Sequence, residues 1–86
     1  MILNILSPDQ TILSTEVEEI ILDTVEGQLG ILDRHAPVLG YLKAGKMKIK
    51  IKGAWQDVPC NPGVLEVQNS KVTILFDSWS SSNSKR

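Results

Sequence analysis

The sequence predicts a small all-β domain, folded as a β-sandwich or a flattened barrel. Short segments rich in Ile, Val, Leu and Thr follow one another closely and are separated by turn signals containing Gly, Pro, Asn or Asp. The segment Lys46–Lys52 alternates lysine with apolar residues, which is the period-two pattern of a strand with one buried face. No segment shows the periodicity of an amphipathic helix, so a helical bundle and an α/β fold are excluded.

The N-terminal part predicts two extended segments. Residues 1–7 alternate loosely between apolar and polar, and the turn residues at 8–10 separate them from a second extended segment, Ile12–Leu22. Density in β-branched residues favours a strand there, with Ile20 and Leu22 on the same face.

A turn at Thr24–Gly27 leads into residues 26–40, a stretch rich in residues that interrupt regular strands. Closely spaced glycines, the only histidine and a proline lie there among apolar residues. Glycines at this density are typical of positive φ or of close backbone approach, and proline removes a backbone donor. We interpret the stretch as two short buried strands joined by a protruding loop, Asp33-Arg34-His35. The apolar residues of these strands are Leu29, Ile31, Leu32, Val38 and Leu39.

The alternating strand lies between two turns. Lys43-Ala44-Gly45 precedes it, and Gly53-Ala54 is predicted to close a hairpin whose second strand is 55–58. The core-facing residues of the alternating strand are expected to be Met47, Ile49 and Ile51. The residues facing water, named here the lysine comb, are Lys46, Lys48, Lys50 and Lys52.

The last part of the chain predicts one more hairpin and a tail. Residues 59–63 contain two prolines and break the strand pattern. Val64–Val67 and Val72–Phe76 are predicted strands, joined by a short polar turn. The Ser-rich residues 80–86 have nothing to bury and are predicted to be disordered, so we expect a single domain over residues 1–79.

Composition excludes several classes of protein. The net charge of −1 provides no global attraction to nucleic acid or membrane. The single cysteine, Cys60, excludes an internal disulfide framework and a cysteine-built zinc site. No apolar run approaches the ~20 residues that span a bilayer. The first residues lack the basic region and cleavage site of a secretory peptide, so we expect a protein of a reducing compartment.

The run GQLGILDRHAPVL (27–39) resembles the signature of the epsilon subunit of F-type ATP synthases, whose mitochondrial equivalent is called delta. The pattern of that family is close to acidic-Gly-x-hydrophobic-Gly-hydrophobic-x-x-x-His-Ala-Pro, and residues 26–37 fit each of its fixed positions. Further matches follow in the same order at residues 3–8, 17–22, 65–67 and 72–75. The resemblance therefore covers roughly residues 1–79.

The resemblance implies a two-sheet β-sandwich of about ten short strands. Members of the family usually continue into an antiparallel helical hairpin, and no segment of these 86 residues has the pattern to form one. The chain is therefore either a naturally short form or a domain cut at its boundary. The inhibitory and nucleotide-sensing behaviour associated with the hairpin is not carried over.

The function implied is that of a non-catalytic subunit in the central stalk, or rotor. Such a subunit binds the gamma subunit and the ring of c subunits, couples proton-driven rotation to ATP synthesis, and uses no cofactor, small-molecule substrate or nucleic acid. The implied location is peripheral, on the cytoplasmic face of a bacterial plasma membrane or on the stromal face of a plastid thylakoid membrane.

The resemblance also assigns two sets of site residues. The positions on or near the face that meets gamma are Ser7, His35, Gly40 and Tyr41. The positions in the loop that meets the c ring are Glu26, Gly27 and Gln28. Several relatives have an acidic residue where this chain has Gln28, so we expect a neutral hydrogen bond at that contact here.

An enzymatic function would need His35, the only imidazole, as its base. The spacing places neither Cys60 nor a serine beside it, and no serine is flanked by the glycines of a nucleophile elbow. We therefore predict no catalytic residue. A structural role remains open, in which His35 hydrogen-bonds a backbone group and fixes the loop before Pro37.

The lysine comb suggests an alternative function, the binding of single-stranded nucleic acid. Such barrels add stacking aromatic residues on the same face, whereas here only Trp55 is close. A solvated strand face that protects a sheet edge is the favoured interpretation. The acidic cluster at residues 16–19 is interpreted as hydrated, so no metal site is predicted. Trp79 is interpreted as a surface anchor for a partner.

Overall fold

The computed structural model describes residues 1–78, which form nine β-strands and, within that range, no helix. The strands are β1 (Ile2–Leu6), β2 (Thr11–Glu16), β3 (Glu19–Thr24), β4 (Gly27–Leu32), β5 (Val38–Leu42), β6 (Gly45–Ile51), β7 (Ala54–Cys60), β8 (Gly63–Gln68) and β9 (Lys71–Phe76). The all-β prediction is confirmed, with nine strands in place of about ten. The predicted anchor Trp79, the domain boundary there and the tail 80–86 lie outside the described residues. Residues 1–78 contain no helix long and apolar enough to cross a membrane.

The strands pair in the order β2-β1-β9-β8-β5-β3-β6-β7, and β4 pairs with β3. The link between β5 and β3 is a single residue pair, Thr24 with Leu42. This link divides the curled sheet into a five-stranded half (β2-β1-β9-β8-β5) and a four-stranded half (β4-β3-β6-β7). The inner faces of both halves contribute to one hydrophobic cluster, which is the arrangement of the predicted sandwich.

Side-chain alternation builds the core row by row. In the five-stranded half, Ile5, Ile74 and Leu65 are aligned across adjacent strands and are fully buried. In the four-stranded half the equivalent row is Ile31, Ile20 and Ile49, which are 0–1% exposed. Paired residues on neighbouring strands share a face, so apolar residues at alternate positions form continuous layers.

The predicted single segment Ile12–Leu22 is wrong in one respect, because it forms two strands in different halves. The chain crosses between the halves at Val17 and Glu18. The Val17 N–H donates to the Met1 carbonyl (2.8 Å), and the Glu18 N–H donates to the Lys50 carbonyl (2.7 Å). The β-branched composition predicted extended backbone correctly, but it carried no information about which strand lies beside each end.

The hairpin that follows the lysine comb turns one residue earlier than predicted. Lys52 and Gly53 occupy the turn with φ of 50° and 80°, and Ile51 pairs with Ala54. Two positive φ values at the centre of a two-residue loop match the right-handed twist of the flanking strands. Strand β7 also continues through Pro59, which the sequence had suggested would break it. A proline is tolerated there because β7 pairs only with β6 in the described chain.

Two burial predictions for the central stretch are also wrong. The stretch does form β4 and β5, joined by a loop at Asp33–Pro37, but its apolar residues are not all buried. Ile31 is fully buried, whereas Leu32 is 57% exposed and Leu39 is 74% exposed. Both lie at strand positions that alternate away from the core.

Candidate interaction surface

Turns gather at two opposite ends of the sandwich. The end named here the Ser7 end holds the β1–β2, β3–β4, β5–β6 and β7–β8 connections, and the Val25 N–H there donates to the Tyr41 carbonyl (2.9 Å). The end named the His35 end holds the remaining connections, and the Ile2 N–H there donates to the Ser70 carbonyl (2.9 Å). The two ends are separated by the length of the strands, so the structure does not bring Ser7 and His35 together.

The predicted c-ring residues form the tip of the β3–β4 hairpin at the Ser7 end. The Thr24 hydroxyl donates to the Gly27 carbonyl (2.8 Å) and accepts from the Glu26 N–H (3.1 Å), which closes the predicted turn. Gly27 has a φ of 127°, a conformation that L side chains rarely adopt. Glu26, Gly27 and Gln28 are all exposed, so the structure presents these three residues together on one projecting turn.

Ser7 is one of the predicted gamma-facing residues, and it is 9% exposed. Its Oγ donates to the Gln10 carbonyl (3.3 Å) and accepts from the Gln10 N–H (3.3 Å). The hydroxyl therefore holds the β1–β2 turn, and a partner at this end would contact the turn rather than the hydroxyl.

His35 is half-buried in the β4–β5 loop. Its Nδ1 lies 2.7 Å from the Ala36 carbonyl oxygen, and its backbone N–H donates to the Leu32 carbonyl (3.1 Å). This geometry agrees with the structural role considered for the histidine, because both contacts shape the loop that leads into Pro37. Cys60 ends β7 at the Ser7 end, so the structure assembles no cysteine–histidine relay. Within residues 1–78 no group of three His, Cys, Asp or Glu side chains is placed to hold a metal ion.

Gly40 and Tyr41, the remaining predicted gamma-facing residues, point to opposite sides of β5. Gly40 is paired with the fully buried Leu65 and belongs to the inner face. Tyr41 is 63% exposed and belongs to the outer face. Of this pair, only Tyr41 can offer a side chain to a partner.

Tyr41 starts an apolar row on the outer side of the five-stranded half. The pairing register aligns Tyr41 with Val64, Val64 with Leu75, and Leu75 with Leu6. Leu39 lies two residues from Tyr41 on the same side of β5. We name these five residues the apolar face: Leu6, Leu39, Tyr41, Val64 and Leu75. Three of them expose large side chains, with Leu39 at 74%, Tyr41 at 63% and Leu75 at 44%.

The apolar face continues onto the β3–β4 tip. A shallow cleft of ≈ 120 Å³ separates Leu39 and Tyr41 from Val25 and Glu26. Val25 is 59% exposed. Sequence reasoning did not single out Leu39, Leu75 or Val25 as surface residues. The available signal was that β5 (VLGYL) has apolar residues on both of its faces. Such a strand is expected to be buried on both sides, by the core on one and by another surface on the other.

The outer side of the four-stranded half is charged instead. Across adjacent strands, Glu19 is paired with Lys50, and Lys48 is paired with Asp57. Lys46 Nζ lies 3.6 Å from Asp57 Oδ2, and Lys50 Nζ lies 5.7 Å from the centre of the Trp55 ring. The two carboxylates compensate part of the charge that the lysine comb would offer to a phosphate backbone. The lysine comb is also not an edge, because β6 lies between β3 and β7, so the predicted edge protection is wrong.

One hydrogen bond ties the β4–β5 loop to the β8–β9 turn. The Ser70 hydroxyl donates to Asp33 Oδ1 (2.5 Å), and this bond holds the pKa of Asp33 below its ordinary value, against an opposing effect of desolvation. The bond stabilises the ionised carboxylate and therefore contributes to the free energy of unfolding. This contribution is fully present above the unfolded-state pKa of about 4, and it is lost as the pH falls through the lower pKa of the folded state.

Replacing Ser70 with Ala is therefore expected to raise the pKa of Asp33 towards its ordinary value of 3.8. The difference in urea midpoint between the variant and the parent should shrink on acidification below about pH 4. A carbon-detected NMR titration of the Asp33 carboxyl measures the shift. Ser14→Ala is the matched control, because the Ser14 hydroxyl donates to the neutral Asn4 Oδ1 (2.6 Å). An equal pKa of Asp33 in both variants would contradict the assignment.

Comparison with known proteins places this fold in one family. The family model described as "ATP synthase, Delta/Epsilon chain, beta-sandwich domain" matches residues 1–81. The ATP synthase epsilon chain of Caldicellulosiruptor bescii is 38% identical over 76 residues, covering 88% of this chain and 56% of that protein. The chloroplastic ATP synthase epsilon chain of Huperzia lucidula is 41% identical over 75 residues, covering 87% of this chain and 54% of that protein. The chain thus spans about half the length of these relatives.

Solved structures show the same fold. A chain in the Euglena gracilis mitochondrial ATP synthase structure, which comprises OSCP, F1 and the c-ring, superposes with a TM-score of 0.81 at 26% identity, covering 88% of this chain and 49% of its own length. A chain in the Tetrahymena thermophila mitochondrial ATP synthase central stalk and c-ring has a TM-score of 0.73 at 21% identity, covering 91% of this chain and 63% of its own, and it shows the fold alone. With the family model matching nearly the whole sequence and the β-sandwich in agreement, the chain belongs to the ATP synthase delta/epsilon family.

Proposed function

We propose that this chain is a non-catalytic subunit of the central stalk of an F-type ATP synthase. In this role it binds the gamma subunit and the c ring, and it passes torque between the proton-driven ring and the shaft. Its place is peripheral, at the cytoplasmic face of a bacterial plasma membrane or at the stromal face of a thylakoid membrane. Family membership supports the assignment, and the relatives supply the name of the complex.

The observation that carries the proposal is the difference between the two outer sides of the sandwich. One side is charged and internally paired, and the other exposes Leu39, Tyr41 and Leu75. A contiguous apolar patch rimmed by polar residues on a small soluble domain is typical of a protein–protein interface. We assign the apolar face to gamma, with the Ser7 turn and the His35 loop at its two ends.

The β3–β4 tip is assigned to the c ring. Glu26, Gly27 and Gln28 project together from the Ser7 end, where the turn and the start of the β3–β4 ladder fix their backbone and all three are exposed. The exposed amide of Gln28 offers both a donor and an acceptor to a polar loop. The tip adjoins Tyr41 through the Val25–Tyr41 hydrogen bond, so one continuous surface would serve both partners.

The test is reconstitution with an ATP synthase core depleted of epsilon and carrying a gamma subunit from the same source. We expect the chain to co-elute in gel filtration at one copy per complex and to remain bound at moderate salt. Elution of the chain alone, with a matched gamma, would overturn the proposal.

The same assay tests the assignment of His35. We expect His35→Glu to weaken binding to gamma while leaving the fold intact, because it introduces a bulky negative charge at the end of the proposed interface without removing a core side chain. Circular dichroism of the free variant checks the fold. A variant that is unfolded, or that binds as well as the parent, would count against the assignment.

A further inference from the structure

Within residues 1–78, the outer edge of β4 has no partner strand. In the described chain β2, β4 and β7 have a single partner strand. The second edge of β5 is met at one end by β3, through the Thr24–Leu42 pair and the Val25–Tyr41 hydrogen bond. Strand β7 carries Asp57 and Pro59. Strand β2 ends in Glu16, and its pairing with β1 shifts register between Ile5 and Leu6. These are the usual means by which proteins prevent a sheet edge from pairing with another chain. Strand β4, with the sequence GQLGIL, has no charge, no proline and no bulge.

We propose that β4 pairs with β4 of a second copy of this chain, antiparallel and around a two-fold axis at Gly30. In such a pair, the inward-facing residues of one β4 must lie opposite the inward-facing residues of the other. A one-residue shift of one strand would place its apolar residues on the opposite face of the sheet. The Gly30 register meets this condition. It places Leu29 opposite Ile31 of the second copy, both inward-facing, and Gln28 opposite the exposed Leu32.

Charge selects this register over its neighbours. Continued past the ends of β4, the pairing around Gly30 brings the turn at Glu26 of one copy towards the loop at Arg34 of the other. The symmetry makes this approach twice. Both side chains are exposed, and neither takes part in an ion pair within residues 1–78. A register centred on Leu29 would instead place Glu26 beside Leu32. The opposite charges at the two ends therefore fit a second copy of the same strand.

Such a dimer is expected to be weak. One pair of short strands buries less surface than a standard interface, so we expect a dissociation constant on the order of 10⁻⁴ M. The proposed function assigns Glu26 to the c ring, so the dimer would be a form of the free chain. It is tested on the purified chain alone, and its outcome does not depend on the central-stalk assignment.

Sedimentation equilibrium across concentrations around that value measures the dimer. We expect Glu26→Arg and Arg34→Glu each to weaken association about tenfold, since each places like charges together twice. The double variant E26R/R34E should return to within about threefold of the parent, because the pairs are restored with exchanged signs. Glu66→Arg, the same charge change at an exposed site on β8, should leave association unchanged. A parent chain that stays monomeric, or forms larger assemblies, would overturn the proposal.

Cysteine cross-linking tests the register independently. Antiparallel partners have Cα atoms about 4.5 or 5.5 Å apart, within the range that a disulfide spans. A Cβ added at Gly30 meets no atom within 4 Å, so Gly30→Cys should fold, and we expect it to form a covalent dimer under mild oxidation. The matched control is Ser14→Cys, an exposed position on the edge strand β2. The native Cys60 is 4% exposed and adds little background. Equal cross-linking at positions 14 and 30 would contradict pairing through β4.

Discussion

Replacing Gly63 with Ala is expected to destabilise the domain by about 3 kcal/mol or more. Gly63 is buried at the start of β8, between Leu42 and Phe76 of the neighbouring strands. A Cβ at this position would lie 2.8 Å from the Phe76 Cα and closer still to the Leu75 carbonyl oxygen. Those are backbone atoms, so the clash cannot be relieved by a side-chain rotation. The loss is a large part of the 5–15 kcal/mol by which small domains are typically stable.

Urea unfolding of the two chains measures this loss, and Gly40→Ala is its matched control. Gly40 lies on β5, where an added Cβ meets nothing within 4 Å. We expect that variant to be neutral or more stable by roughly 0.5 kcal/mol, since alanine restricts the unfolded chain more than glycine does. Equal urea midpoints for the two variants would contradict this prediction. They would show that β8 and β9 move apart near Gly63 with no loss in the free energy of unfolding.

Local patterns in the sequence were sufficient to predict most of the strands. The alternation in Lys46–Lys52 identified the buried Met47 and Ile49, and the turn at Thr24–Gly27 was correct. Errors arose where the outcome depends on a distant part of the chain. The break at Val17 and Glu18 is set by backbone partners at Met1 and Lys50, which no local window contains. For the same reason the sequence placed Gly63 only at the end of a segment that breaks the strand pattern, whereas its requirement for glycine comes from the backbone of β9.

The candidate site was predictable only in part, for a related physical reason. The resemblance identified Tyr41 and the residues of the β3–β4 tip, which are exposed and adjacent. It could not reveal that Leu39, Val64 and Leu75 join Tyr41 in one surface, because that alignment is a property of strand register. Hydrophobicity alone pointed the other way, since an apolar residue in a strand is first expected in the core.

Replacing Leu39 with Asp is expected to weaken binding to gamma by at least about thirtyfold, or about 2 kcal/mol, while the free chain stays folded. Leu39 is 74% exposed, so its loss removes little from the core. In the proposed complex the same side chain is desolvated, and a carboxylate there would be left without a partner. Titration calorimetry with a matched gamma, or co-elution with the epsilon-depleted core, measures the change in affinity.

Leu32→Asp separates the apolar face from exposed leucine in general. Leu32 is 57% exposed, but it lies on β4 beside Glu19, in the charged four-stranded half. The two variants carry the same chemical change on opposite sides of the sandwich, so a general effect of added charge or lost solubility would appear in both. We expect Leu32→Asp to bind gamma within about twofold of the parent, because a substitution outside an interface leaves its contacts intact. If Leu32→Asp were the more damaging variant, gamma would have to be assigned to the charged side, and the apolar face would need another partner.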